Sequence, residues 1–420
     1  MRPPRDWWTA FGSRDLDALA RAALSGSQTV ASARAALAQA RAAEAQSRAS
    51  LYPQLDFSAS ASRLKSSLLP EGINQLGPVT NDFTIGPSVR YLLDPFGGER
   101  RLREEKHALS QRQAFLFEGA SLTVTGEVVR DAIDAARAQS QIDALESLIG
   151  DDEQTLAMIA QLAARRLKTA SDVAAARSLL AGDRALLPPL RQQLSVDRDA
   201  MAILTGKTPG EAAIPDFRLE TLDLPARLPI SVPADLIRQR PDVRAAEADL
   251  HAASAAVGVA TAQLYPSLTL SGAITQESLT TSNLFTGSAT GGFLAASLAA
   301  PILHGGELRA QRRQAVAAYD GALAAYRQTV LQACGQVADV LQALDHDAQA
   351  VEAQRQALDA SAAALEAARA RFGVARVTVL EVLDAQRQVG RARIALVGAR
   401  AQRYLDTVQL YAALGGGRIR

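Results

Sequence analysis

The side chains best suited to chemistry are few and widely spaced. The four histidines, His107, His251, His304 and His346, show no spacing that would place two of them on one metal ion. Three methionines are too few for a thioether-rich copper site. Asp151-Asp152-Glu153 carries enough charge for a cation, but consecutive acids on a helix point in different directions, so a solvated face is expected. The glycine pairs 97–98 and 305–306 precede neither Lys-Ser nor Lys-Thr, which makes them turns at element junctions, not phosphate loops. Cys334 is the single cysteine and has no internal disulfide partner. No nucleophile elbow occurs. The basic run Arg100-Arg101-Leu102-Arg103 is followed at once by Glu104-Glu105, the pattern of a charged helix face and not of a nucleic-acid site. The expectation is therefore no catalytic residue, no cofactor, no metal and no enzyme activity.

Composition points to helices. Of 420 residues, 48% are hydrophobic and only 5% are aromatic, so Ala, Leu and Val carry the apolar content. Ala and Leu are strong helix formers. The formal net charge of +1 gives no reason to expect a polyanionic partner, nucleic acid included. No run of about 18 apolar residues is present, so no ordinary membrane-spanning helix is expected.

The chain is an internal duplication. Leu51-Tyr52-Pro53-Gln54-Leu55 returns as Leu264-Tyr265-Pro266-Ser267-Leu268, Gly97-Gly98-Glu99 as Gly305-Gly306-Glu307, and Leu204-Thr205-Gly206 as Leu414-Gly415-Gly416. The order is the same in both copies, at a period far longer than that of a solenoid repeat. The first repeat, 27–206, reads as a helix to about 51, strands over about 53–63 and 82–92, a long helix over about 99–167 and a return helix over about 172–204. The second, 241–416, reads as a helix to about 264, strands over about 266–276 and 292–300, a long helix over about 307–372 and a return helix over about 377–414. An N-terminal segment, 1–26, a Pro-rich connector, 207–240, and a tail, 417–420, complete the chain. Pro188-Pro189 should kink the first return helix. The fourth strand alternates poorly.

The first three strands show the period-2 pattern. Leu55, Phe57, Ala59 and Ala61 alternate with Gln54, Asp56, Ser58, Ser60 and Ser62. Strands of about ten residues with one apolar and one Ser/Thr-rich face suit a tilted crossing of a bilayer as part of a β-barrel. Four strands cannot close a barrel, and open edges are not tolerated in lipid, so the chain must oligomerise. Each long helix would extend about 100 Å at 1.5 Å per residue and needs lateral partners for stability. The fold class expected is mainly α with a membrane β-barrel portion.

At this point the chain resembles the TolC family of outer-membrane efflux proteins, in its lipoprotein branch. The resemblance rests on Trp7-Trp8-Thr9-Ala10-Phe11-Gly12 with Leu16 and Leu19, and on Arg238-Gln239-Arg240-Pro241-Asp242-Val243-Arg244-Ala245-Ala246-Glu247. Leu264-Tyr265-Pro266 and Val379-Leu380-Glu381-Val382-Leu383-Asp384-Ala385-Gln386-Arg387 complete it. It covers essentially the whole chain. It implies a homotrimer with four membrane strands per protomer, in which 1–26 and 207–240 are equatorial segments. It also implies a helical barrel in the periplasm, an outer-membrane location, and gating at the periplasmic helical tips. The implied partners are a periplasmic adaptor and an inner-membrane pump driven by protons, with small molecules such as drugs conducted outward. Against the lipoprotein pattern, no lipidation cysteine or apolar signal core is present near Met1, and a trimmed or misassigned start is expected.

The same resemblance carries aperture residues to Leu380 and Asp384, with Phe372 and Thr378 beside them, and adaptor-docking tips to Thr169, Ser171, Gly373 and Arg376. Leu380 and Asp384 are four apart and share a helix face, so a threefold axis would make of them an apolar ring and an acidic ring. Spacing alone favours Leu380 in a helix seam and Asp384 as a solvated charge, and the resemblance to the family reverses that preference. The first tip lacks the glycine usual in the family, and Gly373 sits slightly early in the second. A periplasmic coiled-coil adaptor would explain the helical hairpins but not the paired alternating strands.

Overall fold

The computed structural model describes residues 6–67, 76–225, 237–373 and 378–416. A 3-10 turn, Trp7–Phe11, leads into α1 (Arg14–Gly26) and α2 (Gln28–Ala49). Strands β1 (Gln54–Ser67) and β2 (Leu76–Leu93) precede α3 (Gly98–Ala164), α4 (Ala170–Arg184) and α5 (Leu187–Leu204). The second copy follows as α6 (Pro241–Ala262), β3 (Ser267–Ser278), β4 (Thr290–Ala299), α7 (Glu307–Gly373) and α8 (Val379–Ala413). The connector contains one 3-10 turn, Leu219–Thr221.

The chain forms two compact units, and each draws on both copies of the repeat. One comprises Ala36–Ala114 and Ala245–Arg327 and holds the sheet. Its four strands are antiparallel in the order β1-β2-β3-β4, leaving β1 and β4 as open edges. The register sorts the faces. Leu55 pairs with Val89, Val89 with Gly272 and Gly272 with Leu294, while Leu270 lies between Tyr91 and Ala296. One face is therefore apolar across all four strands. Leu55, Phe57, Leu294 and Leu298 on it are 74%, 70%, 86% and 69% exposed, as lipid-facing residues of a single protomer must be. The other face carries Gln54, Asp56, Ser58, Arg90, Ser271 and Thr275.

Local chemistry explains the junctions of this unit. Gly97 and Gly306, at φ of 80° and 85°, turn the chain from strand into long helix. Asp94 then accepts hydrogen bonds from the Arg100 backbone N–H at 3.0 Å and from its Nε at 3.2 Å. Phe96 stacks on Tyr265 at 4.8 Å. His107 Nδ1 lies 2.8 Å from Glu44 Oε1, and His251 Nε2 lies 2.8 Å from Glu104 Oε1, so both rings are held by carboxylates.

The other unit comprises Met1–Ala35, Phe115–Arg244 and Gln328–Arg420. Its core gathers Trp7, Trp8, Phe11 and Leu16 against Val124, Val128, Ile133, Met201 and Tyr404. The N-terminal aromatics are thus anchors. Trp7 stacks on Tyr411 at 5.4 Å, Trp8 Nε1 donates to Asp17, and the Tyr404 hydroxyl donates to the Leu222 carbonyl at 2.7 Å. The return segment after α3 is broken, not merely kinked. α4 ends at Arg184 and α5 takes Pro188-Pro189 into its first turn, where the missing N–H leaves no hydrogen bond unmade.

Candidate functional site

The two helical tips are built on one local plan. Thr169 caps α4 and Thr378 caps α8. Each threonine side chain accepts the N–H of the third helical residue, whose carboxylate, Asp172 or Glu381, returns a bond to the threonine N–H. Thr169 N donates to Asp172 at 2.9 Å, and Thr378 N to Glu381 at 3.4 Å. The capping bonds hold the Asp172 carboxyl below its usual range.

α3 ends with Leu167 N–H bonded to the Leu162 carbonyl and Arg166 N–H to the Ala163 carbonyl, both at 2.9 Å. This is a left-handed helix stop. α5 and α8 end the same way on Gly206 and Gly415, at φ of 77° and 83°. The first tip places Arg166 in that position at φ 59°, the one non-glycine residue with positive φ among those described. At this stop an arginine takes the left-handed conformation that glycine takes at the ends of α5 and α8.

Side chains near the tips form one small cluster. Ile159 of α3, Ala176 of α4, and Val379 and Leu383 of α8 are buried together, with Val173 and Phe372 packed against them. Lys168 Nζ sits 5.7 Å from the centre of the Phe372 ring. Phe372 therefore supports α8 by packing, and Thr378 supports it by capping. Leu380 is 40% exposed and Asp384 is exposed, while Val379, Val382, Leu383 and Gln386 are buried. Within the protomer the packed side of α8 is made by Val379, Val382, Leu383 and Gln386, and Leu380 and Asp384 lie off it. Ser171 is exposed in the first turn of α4, and Gly373 is the last residue of α7. Arg376 lies outside the described residues.

The run Asp151-Asp152-Glu153 is not the solvated face that its sequence suggests. Asp151 and Glu153 are exposed, but Asp152 is only 2% exposed. The α-helical period turns Asp152 toward α4, where Asp183 is 3% exposed. Neither Asp152 oxygen has a hydrogen-bond partner among the described residues. Burial first, and Asp183 beside it second, push Asp152 up to about 7. Arg387 of α8 approaches the pair, its Nε 3.4 Å from Asp183 Oδ2. Acids of α3 and α4 and a base of α8 thus meet behind the exposed face of α8.

Two further carboxylate clusters escaped sequence reasoning. Asp347 of α7 faces Asp406 of α8, and burial followed by Asp406 pushes it up to about 7. Asp131 of α3 is likewise pushed up to about 7 by burial, then by Asp197 and Asp134. A signal was available: Gln193 donates to Asp197 and Gln402 to Asp406, the same Gln-x-x-x-Asp pattern at matching points of both copies.

Arg240, in the motif that opens α6, is 6% exposed. Its guanidinium donates to Asp242, to Gln336 Oε1 at 2.8 Å and to the Ala413 carbonyl at 3.0 Å. It ties the start of α6 to α7 and to the end of α8. Among the described residues no group of three or more His, Cys, Asp or Glu side chains could hold a metal ion.

The model of a family described as outer membrane efflux protein matches residues 19–207 and 232–416. The pyoverdine export outer membrane protein OpmQ of Pseudomonas aeruginosa is 32% identical, over 98% of this chain and 87% of its own length. Nodulation protein T of Rhizobium leguminosarum bv. viciae is 30% identical over 98% of this chain and 84% of its own. Among solved structures, the outer-membrane channel OprN superposes with a TM-score of 0.94 at 29% identity, covering 99% of this chain and 93% of that one. The outer membrane protein VceC of Vibrio cholerae gives 0.93 at 25% identity, with 99% of each chain covered.

Proposed function

From the premise that this chain belongs to the outer membrane efflux protein family, we propose that Leu380 and Asp384 form the periplasmic aperture of the channel. The protein is the outer-membrane component of an efflux system, a trimeric channel with a membrane β-barrel and a helical barrel in the periplasm. Around the threefold axis Leu380 supplies an apolar ring and Asp384 an acidic one. The observation that carries this reading is the exposure of both side chains on one face of α8 while Val379, Val382, Leu383 and Gln386 are buried. Phe372 and Thr378 hold that stretch of helix in place.

The docking surface for a periplasmic adaptor comprises Thr169, Ser171, Gly373 and Arg376 at the two tips. The pump served is an inner-membrane transporter driven by protons, and the cargo is small organic molecules. The chain conducts and does not catalyse. Cysteine cross-linking tests the aperture. With Cys334→Ala as background, Asp384→Cys should be joined between protomers by a short bifunctional maleimide, and Arg391→Cys much less. Equal or weaker cross-linking at position 384 contradicts the assignment.

A further inference from the structure

Among the described residues Phe293 is the one aromatic ring on the polar face of the sheet, where the other large apolar side chains are Leu64 and Leu92. Its neighbour Leu294 lies on the apolar face: a side chain added at Gly272 would touch Leu294 and Val89 there. Successive residues of a strand point to opposite faces, so Phe293 stands on the polar one. The register agrees, since Phe293 pairs with Ala273, Ala273 with Ser88 and Ser88 with Asp56. The adjoining row on that face is Gln54, Arg90, Ser271 and Ala295. Along β4 the same face otherwise carries only Gly291, Ala295, Ser297 and Ala299. A phenyl ring 59% exposed therefore rises from a floor of small and polar side chains. No packing need within the protomer explains it. Glycine and alanine on either side leave the space around it clear.

We propose that Phe293 projects into the water-filled lumen of the β-barrel and is a contact point for the apolar or aromatic part of a passing solute. The polar face of a membrane barrel lines its interior, and three copies bring three such rings to one level of the passage. An aromatic face offers weak, sequentially repeatable attraction to apolar and cationic organic molecules. Conduction requires contacts that hold a solute briefly and release it, and three isolated rings among Ser, Ala and Gly meet that need.

The test uses the full-length trimer with Cys334→Ala as background. A charged, membrane-impermeant thiol reagent should modify Phe293→Cys at least tenfold faster than Leu294→Cys, at a rate similar to Ser297→Cys. Slower modification at 293 than at 294 overturns the lumenal placement, and this readout does not depend on conduction. In planar bilayers, tetraphenylphosphonium is the probe of solute contact. Its block of the open channel should weaken at least threefold in Phe293→Ala and be kept in Phe293→Tyr. Equal block in wild type and Phe293→Ala overturns the contact role.

Discussion

Leu380 and Asp384 lie one helical turn apart on α8 with both side chains exposed, whereas Val379 and Leu383, the residues before each, are buried against Ile159 and Ala176. One stripe of this helix is thus packed and the other exposed, and the proposed aperture uses the exposed one. Substitutions should separate them. Leu383→Ala opens a cavity in the tip cluster and should cost about 2–5 kcal/mol. Leu380→Ser should stay within about 0.5 kcal/mol of wild type. Thermal unfolding of the detergent-solubilised protein measures both, and conductance should rise in Leu380→Ser.

The tip turn offers a second separation. Arg166 holds a left-handed conformation that costs a non-glycine residue about 1–2 kcal/mol. Arg166→Gly should raise stability at this turn, and unchanged or lower stability would mean the side chain compensates for the strain. Thr169→Ala and Thr378→Ala should each cost about 1 kcal/mol through loss of the cap. Hydrogen exchange at Asp172 and Glu381 amides localises the effect.

The buried carboxylates fix a pH dependence with a definite sign. Asp131, Asp152 and Asp347 are raised to about 7 in the folded chain. Between the ordinary carboxylate range and about 7 the folded state binds more protons than the unfolded one, so these groups make stability fall as pH rises across that window. Their favourable contribution is full below the ordinary carboxylate range and lost above about 7. Melting temperature should drop between pH 5 and pH 8. Asp152→Asn and Asp347→Asn should flatten the drop and be more stable than wild type at pH 8, since one pKa unit is about 1.4 kcal/mol.

The sheet register makes neighbouring residues of β4 respond oppositely. Leu294→Arg places a charge toward lipid and should cost about 2–4 kcal/mol near mid-membrane, while Ser297→Arg faces water and should be tolerated. Recovery of folded trimer from outer membranes compares the two. Equal recovery would contradict the assignment of faces.

Much of this was legible in the sequence. The duplication announced itself through repeated Leu-Tyr-Pro and Gly-Gly-Glu landmarks, and the first three strands through alternation. β4 read poorly because Phe293 occupies the polar face and Ala and Gly fill both, which pairing with β3 resolves. Asp152 was misjudged because consecutive acids look solvated until a second helix is placed beside one of them. The Asp347–Asp406 pair depends on the meeting of α7 and α8, which spacing along the chain does not specify. The Arg166 turn could not be read because no sequence rule selects arginine for a left-handed stop.

Single-channel recording of the purified trimer in planar bilayers, wild type beside Asp384→Ala, addresses the conduit and its aperture together. The expected result is a cation-preferring channel of low resting conductance whose cation preference falls and whose conductance rises in Asp384→Ala. A wild type that conducts with no cation preference, or a variant with unchanged conductance and selectivity, would contradict an acidic ring at the periplasmic aperture.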